Sequence, residues 1–243
     1  MPRYAMVIDL RKCVGCQACS VACSEEWSVQ IGEARTHVWS TGAIGKFPGL
    51  SSSFHVAQCN HCDRPACVVP CPTGATFQAE NGIVKVDKNL CIGCGYCVGA
   101  CPYDARYINP VTKKVDKCDF CSARLERGQL PACVTTCTAN AKFFGDLEDS
   151  RSRVYHLVYE KQARRLEAPD IAIGPNVYYL GKPSQLDLVL AKFGPHPPKL
   201  LSAGRWWHGF LRPFVFAAVA AAFIGQAVAF FYQLRTGEKH FEE

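Results

Sequence analysis

The chain has 243 residues, a formal net charge of +6 and sixteen cysteines. A basic chain raises nucleic acid as a partner, yet no basic run with interleaved aromatic residues occurs, which argues against that class of function. So many cysteines, gathered in runs rather than scattered, also exclude an ordinary role as buried apolar residues.

The chain opens with a strand-like segment, Tyr4–Asp9, which follows the first residues almost at once. No secretory or twin-arginine segment is recognisable before it. We therefore expect the protein to stay in the cytoplasm or to be exported together with a folded partner that carries the signal.

The cysteines form four runs of four, each ending in a C-x-x-x-C step, and none is left over. This is the spacing of the cysteine ligands in bacterial ferredoxins, and it predicts four 4Fe–4S clusters. The runs are Cys13, Cys16, Cys19, Cys23; Cys59, Cys62, Cys67, Cys71; Cys91, Cys94, Cys97, Cys101; and Cys118, Cys121, Cys133, Cys137.

Two other uses of cysteine compete with this interpretation. Disulfides suit small secreted scaffolds, and thiols in adjacent C-x-x-C steps are too constrained to link distant segments. Zinc ribbons use two C-x-x-C pairs, whereas three of these runs open with a triplet and close with a more distant thiol. The spacing therefore favours iron–sulfur clusters over a zinc site or disulfides.

The end of each run suggests how the clusters share ligands. In two-cluster ferredoxins the fourth cysteine of each run binds the other cluster, and two of the runs end in Cys-Pro, as the bacterial run does. Matching runs with like ends gives a nested pairing, and pairing along the sequence remains the alternative. The nested ligand sets are cluster 1 (Cys13, Cys16, Cys19, Cys137), cluster 2 (Cys59, Cys62, Cys67, Cys101), cluster 3 (Cys91, Cys94, Cys97, Cys71) and cluster 4 (Cys118, Cys121, Cys133, Cys23).

Clusters would also change the charge of the protein. Each oxidised cubane with four thiolates carries about −2, so four of them bring the holoprotein to about −2. Five lysines between the runs could offset thiolate charge, or could be ordinary solvated surface residues: Lys85, Lys88, Lys113, Lys114 and Lys117.

The four runs lie in residues 1–150, for which we expect an α+β fold of duplicated ferredoxin-like units. A Gly- and Ser-rich segment, 24–58, is predicted to be an insertion loop within that domain. Residues 151–205 follow as a helical segment and an extended strap interrupted by Pro and Gly.

The C-terminal part differs in composition from the rest. From Pro213 to Leu234 no charged residue occurs, and a helix of that length, about 33 Å, spans a bilayer. We therefore predict a transmembrane helix over 206–234 and a short tail over 235–243, with His208 near the helix entrance as an interfacial residue or a haem or quinone contact. The basic residues before the helix outnumber those after it, which by itself favours a cytoplasmic cluster domain.

Several motifs around the cysteines resemble those of one family. They are Gln58–Asp63, Cys94–Arg106, Asp116–Cys121 and Leu130–Cys133, followed by Asn176–Leu180. The chain is similar to the iron–sulfur (beta) subunits of molybdopterin oxidoreductases of the dimethyl-sulfoxide-reductase type, most of all those of tetrathionate, polysulfide and thiosulfate reductases. The anchored C-terminus is similar to that of formate dehydrogenase beta subunits, whose cluster domain faces the periplasm, so the resemblance favours a periplasmic side.

The resemblance covers residues 4 to about 182 and implies a subunit with no catalytic residues of its own. Its partners would be a molybdopterin (Mo or W) catalytic subunit and a polytopic membrane subunit that reacts with quinone. The expected function is electron transfer between these two in the inner membrane, in respiratory sulfur-compound metabolism. The alternatives are the corresponding subunit of a membrane formate dehydrogenase or hydrogenase, and a free, membrane-tethered polyferredoxin.

Overall fold

The computed structural model describes residues 2–197 and 212–237. The chain divides into two compact units, Met1–Pro198 and Lys199–Glu243. The strands of the first unit are β1 (Tyr4–Asp9), β2 (Thr36–Ser40), β3 (Phe54–Gln58), β4 (Thr76–Gln78), β5 (Val84–Val86), β6 (Tyr107–Ile108), β7 (Val115–Asp116), β8 (Lys142–Asp146), β9 (Arg164–Arg165) and β10 (Val177–Leu180).

The helices are short in the first unit and long in the second. A single π-helical turn, His156–Glu160, follows the short helix Arg153–Tyr155. The helices are α1 (Ala18–Trp27), α2 (Tyr96–Gly99), α3 (Ser122–Leu125), α4 (Ala132–Thr135), α5 (Arg153–Tyr155), α6 (Pro183–Phe193) and α7 (Arg212–Thr236).

A four-stranded mixed sheet in the order β8-β1-β10-β9 organises the first unit. Strand β1 pairs in parallel with β10, with Met6 opposite Val177, and antiparallel with β8 on its other side. The remaining strands form three separate antiparallel hairpins, β2–β3, β4–β5 and β6–β7. The sheet therefore joins the start of the unit to a strand that lies beyond the last cysteine.

Side chains of β1 point alternately to the two faces of the sheet, and both faces are buried. Met6 and Ile8 pack with Tyr179 in one apolar cluster, which also contains cysteines from three of the four runs. Ala5 and Val7 pack on the opposite face against α5 and its neighbours. Three of the four cysteine runs thus lie against one face of this sheet.

Two segments differ from the predicted organisation. Residues 24–58 are not simply a loop, because they contain the end of α1 and the β2–β3 hairpin, in which Thr36 and Val38 are buried in alternation. Residues 171–197 contain β10 and α6 rather than an extended strap; α6 begins at Pro183, a favoured first helical residue, and buries Leu186 and Val189. The rest of the predicted strap, 198–205, lies outside the described residues.

The second unit is described over α7 and Gly237. The stretch Phe214–Thr236 is long and apolar enough to cross a membrane, and its side chains are exposed within the unit. The predicted span began at residue 206, but residues 206–211, including His208, lie outside the described residues, as do residues 238–243 of the tail.

Candidate metal centres

Three cavities in the first unit are each lined by four cysteines, and each cavity gathers thiols from two runs. Each cavity is numbered after the cluster whose predicted ligands line it. Cavity 1 is lined by Cys13, Cys16, Cys19 and Cys137. Cavity 2 is lined by Cys59, Cys62, Cys67 and Cys101. Cavity 4 is lined by Cys23, Cys118, Cys121 and Cys133.

The cysteines assigned to cluster 3 lie nearer the surface. Cys97 is buried in an apolar cluster with Val84, and Cys91 packs against that cluster. Cys71 is half-buried and Cys94 is exposed. Cys71 Sγ accepts a hydrogen bond of 3.4 Å from the backbone N–H of Thr76, the first residue of β4.

The exchange of thiols between cavities follows from local helical geometry. Helix α1 contains Cys19 and Cys23, which are one turn apart, about 5–6 Å along the axis. Cys19 lines cavity 1, whereas Cys23 lines cavity 4. In α4 and the residue pair that follows, Cys133 lines cavity 4 and Cys137 lines cavity 1 in the same manner. Helix α1 therefore contains a whole C-x-x-x-C step, and α4 contains the first cysteine of another.

The donor atoms fit iron–sulfur clusters. Every one of the sixteen cysteines is a free thiol, and thiolate is the ligand that a 4Fe–4S cubane uses at all four irons. Over residues 2–197 and 212–237, no group of three or more His, Cys, Asp or Glu side chains is arranged to hold a single metal ion. The thiols instead line three cavities in sets of four, which is the number of thiolates that one cubane uses.

Burial controls the protonation of these thiols. It raises the pKa of Cys23 and of Cys67 to about 12, with further contributions from neighbouring thiolates. Burial also raises the pKa of Cys118. These three thiols are thus neutral without metal, and iron has to displace their protons when it binds.

Several N–H groups donate to the cysteine sulfurs. Trp27 Nε1 donates to Cys121 Sγ at 3.3 Å, and the backbone N–H of Ala141 donates to Cys137 Sγ at 3.2 Å. Such bonds stabilise negative charge on sulfur and therefore favour a reduced cluster. The backbone N–H of Gly15 also donates to Cys13, as expected from the sequence.

Gly93 lies at a position where a side chain has no room. Its φ of +73° favours glycine, and a Cβ atom there would lie 2.1 Å from the carbonyl oxygen of Lys113. A side chain at this position would therefore require the backbone around Lys113 to move.

Two buried cations beside the cavities were not predicted. Lys142 lines cavity 1 and Arg106 lines cavity 2, and both are about 5% exposed or less. Of the five lysines considered from the sequence, Lys117 is the buried one. A lysine between the apolar residues Ala141 and Phe143 is the signal that could have identified Lys142.

Comparison with known proteins relates the chain to iron–sulfur proteins. A 4Fe-4S dicluster domain matches residues 50–147. The B subunit of tetrathionate reductase from Salmonella typhimurium is 47% identical over 182 residues, covering 74% of this chain and 72% of that protein. The corresponding B polypeptide of polysulfide reductase from Wolinella succinogenes is 43% identical over 182 residues, covering 72% of this chain and 95% of that protein.

A third relative, the thiosulfate reductase electron transfer subunit of Salmonella typhi, is 42% identical over 185 residues and is covered over 96% of its length. Each of the three matches covers more than 70% of this chain. The chain therefore belongs to the family of iron–sulfur (beta) subunits of dimethyl-sulfoxide-reductase-type oxidoreductases, which transfer electrons and leave catalysis to another subunit.

Proposed function

We propose that the chain holds four 4Fe–4S clusters with the nested ligand sets given above, and that it passes electrons between a molybdopterin catalytic subunit and a quinone-reactive membrane subunit. Each cluster would supply a one-electron carrier. The cysteine-lined cavities carry this proposal, because each of the three collects the four thiols of one nested set.

Electrostatic interactions between thiols of different sets support a linear relay of clusters. Cys19 interacts electrostatically with Cys133, which joins sets 1 and 4, and Cys118 interacts with Cys59, which joins sets 4 and 2. Arg106 interacts with thiols of set 2 and with Cys97 of set 3. The sets therefore adjoin in the order 3, 2, 4, 1.

Exposure is consistent with that order. Cys94 in set 3 and Cys16 in set 1 are exposed, whereas sets 2 and 4 consist mainly of buried cysteines. Sets at the two ends thus reach the surface, where partner subunits can exchange electrons, and the protein excludes solvent from the sets between them.

The nature of the complex rests on the relatives and on α7. The relatives are named as subunits of tetrathionate, polysulfide and thiosulfate reductases, which supports a complex that acts on a sulfur compound. The apolar helix Phe214–Thr236 supports single-pass anchoring in the inner membrane. We propose a periplasmic cluster domain by analogy with anchored beta subunits, with a cluster domain over 1–150 and a connecting region over 151–205.

Iron counting in double variants tests the ligand pairing. In the nested pairing, Cys62→Ala with Cys101→Ala damages one cluster and leaves about 12 irons, whereas Cys62→Ala with Cys71→Ala damages two and leaves about 8. Pairing along the sequence, the first run with the second and the third with the fourth, places Cys62, Cys71 and Cys101 in three different clusters, so both variants would keep about 8 irons. About 8 irons in both variants would therefore contradict the nested pairing.

Purification of the complex tests its composition. Membranes solubilised without oxygen should yield this chain with about 16 irons, together with a large subunit that contains molybdenum or tungsten. Nickel in the partner would indicate a hydrogenase instead. A chain that purifies alone, with full iron content, would indicate a polyferredoxin.

A further inference from the structure

A buried lysine lies between sets 1 and 4. Lys142, 4% exposed, lines cavity 1 and hydrogen-bonds Cys133 of cavity 4. Its Nζ also donates to Gln58 Oε1 at 2.8 Å.

A buried arginine lies between sets 2 and 3. Arg106, 5% exposed, lines cavity 2, and its Nη1 donates to Thr76 Oγ1 at 3.1 Å. The backbone N–H of the same Thr76 donates to Cys71 of set 3. Within the described part of the chain, Arg106 Nε and Nη2 have no hydrogen-bond partner. These donors are available to an anionic group in the cavity.

The middle junction, between sets 2 and 4, holds Lys117. This residue is 3% exposed, and its Nζ donates to the backbone carbonyls of Cys118, at 2.6 Å, and Val84. Cys118 belongs to set 4, and Val84 lines cavity 2. Each of the three junctions therefore contains one buried cation.

These cations do not have ordinary partners. In residues 2–197 and 212–237, none of the three forms an ion pair with a carboxylate. An unpaired buried charge is strongly unfavourable unless a nearby anion compensates it. Cysteine sulfurs adjoin all three cations, Cys133 for Lys142 and Cys67 for both Arg106 and Lys117, and they become anionic when they bind iron.

We propose that Arg106, Lys117 and Lys142 are bridging cations, each shared by the two clusters that it separates, and that each raises the reduction potential of both. This inference rests on the proposed four-cluster function. A positive charge favours the more negative, reduced form of each neighbouring cluster. It also offsets the repulsion between two neighbouring anionic clusters. Reduction of one cluster therefore lowers the reduction potential of the next by a smaller amount.

The test compares Lys142→Met and Arg106→Met in the intact complex, using redox titration followed by electron paramagnetic resonance. Each variant should lower two of the four midpoint potentials, with at least a tenfold fall in the reduction equilibrium, about 59 mV for one electron. The two variants should affect different pairs, and Lys142→Arg should restore the wild-type values. A matched control is Lys12→Met, because Lys12 adjoins Cys13 but is exposed and its charge is screened by water.

A shift of one potential, of all four, or of the same pair in both variants would overturn the proposal, as would an equal shift in Lys12→Met. Iron analysis separates this failure from failure of the proposed function: the latter gives a wild-type chain without about 16 irons. If Lys142→Met does not load iron, loading by Lys142→Arg supports the requirement for charge, and failure of Lys142→Arg as well overturns it.

Discussion

Asp116 is the acceptor at the centre of a buried polar cluster, and its replacement provides a quantitative test. Arg35 binds both carboxylate oxygens at 2.9 Å, Lys88 Nζ lies 2.6 Å from Oδ1, and Tyr107 donates to Oδ2 at 2.8 Å. The side chains of Asp116 and Arg35 are 8% and 9% exposed. The cluster joins the β6–β7 hairpin to residue 35, which lines cavity 4.

The size of the effect follows from the carboxylate's pKa. Burial opposes ionisation, but Arg35 and Lys88 lower the pKa of Asp116 from 3.8 to about 2. At 1.36 kcal/mol per pKa unit this corresponds to about 2 kcal/mol of stability at pH 7. Asp116→Asn should therefore lower the thermal midpoint by about 4–8 °C, at the 2–4 °C per kcal/mol typical of domains of this size.

The pH dependence has a definite sign. Because the pKa falls on folding, the stabilisation is complete above 3.8 and is lost as the pH falls towards 2. Thermal melts followed by circular dichroism, without oxygen and at one scan rate, should thus show a constant gap between wild type and Asp116→Asn from pH 8 to pH 5. A gap that changes over this range, or no gap at pH 7, would refute the reasoning. Asp149→Asn is the matched control, since that carboxylate is paired with Arg151 in solvent, and it should leave the midpoint unchanged.

Three further outcomes are expected. Gly93→Ala should lose more iron, or melt at a lower temperature, than Gly95→Ala. Both glycines have positive φ, but only at Gly93 would a Cβ lie against a backbone oxygen, at 2.1 Å. Equal losses of iron in the two variants would contradict this. Trp27→Phe removes the N–H donated to Cys121, so one midpoint potential should fall by about 40 mV, taking about 1 kcal/mol per hydrogen bond, and redox titration checks this. Deletion of residues 212–243 should move the chain from the membrane to the soluble fraction unless partner subunits retain it, which fractionation with and without those partners distinguishes.

Local patterns predicted the elements that depend on local chemistry. The strand-like Tyr4–Asp9 is β1, and the segment around Val84–Val86 is β5. The uncharged C-terminal segment is helical over its described residues. These features follow from residue type and periodicity over a few positions, which a single sequence displays directly.

Features that depend on distant partners were not predictable in the same way. The four residues Val177–Leu180 are buried on both faces, but an apolar run does not reveal that its neighbour is β1, about 170 residues earlier in the chain. Arg106 and Lys142 read as ordinary charged residues because their surroundings are made by thiols from other runs. The spacing of cysteines predicted which thiols act, but not which cations lie between them.

The parallel pairing of β1 with β10 has a consequence for synthesis of the protein. Every cysteine is translated after β1 and before β10, so the central sheet acquires its β10 strand only when all sixteen thiols have already been made. Until then β1 has no partner on that side, and contacts of such long sequence separation form slowly. The topology thus leaves an interval during translation in which a complete set of ligands is present on an unfinished scaffold and accessible to the machinery that delivers iron and sulfide.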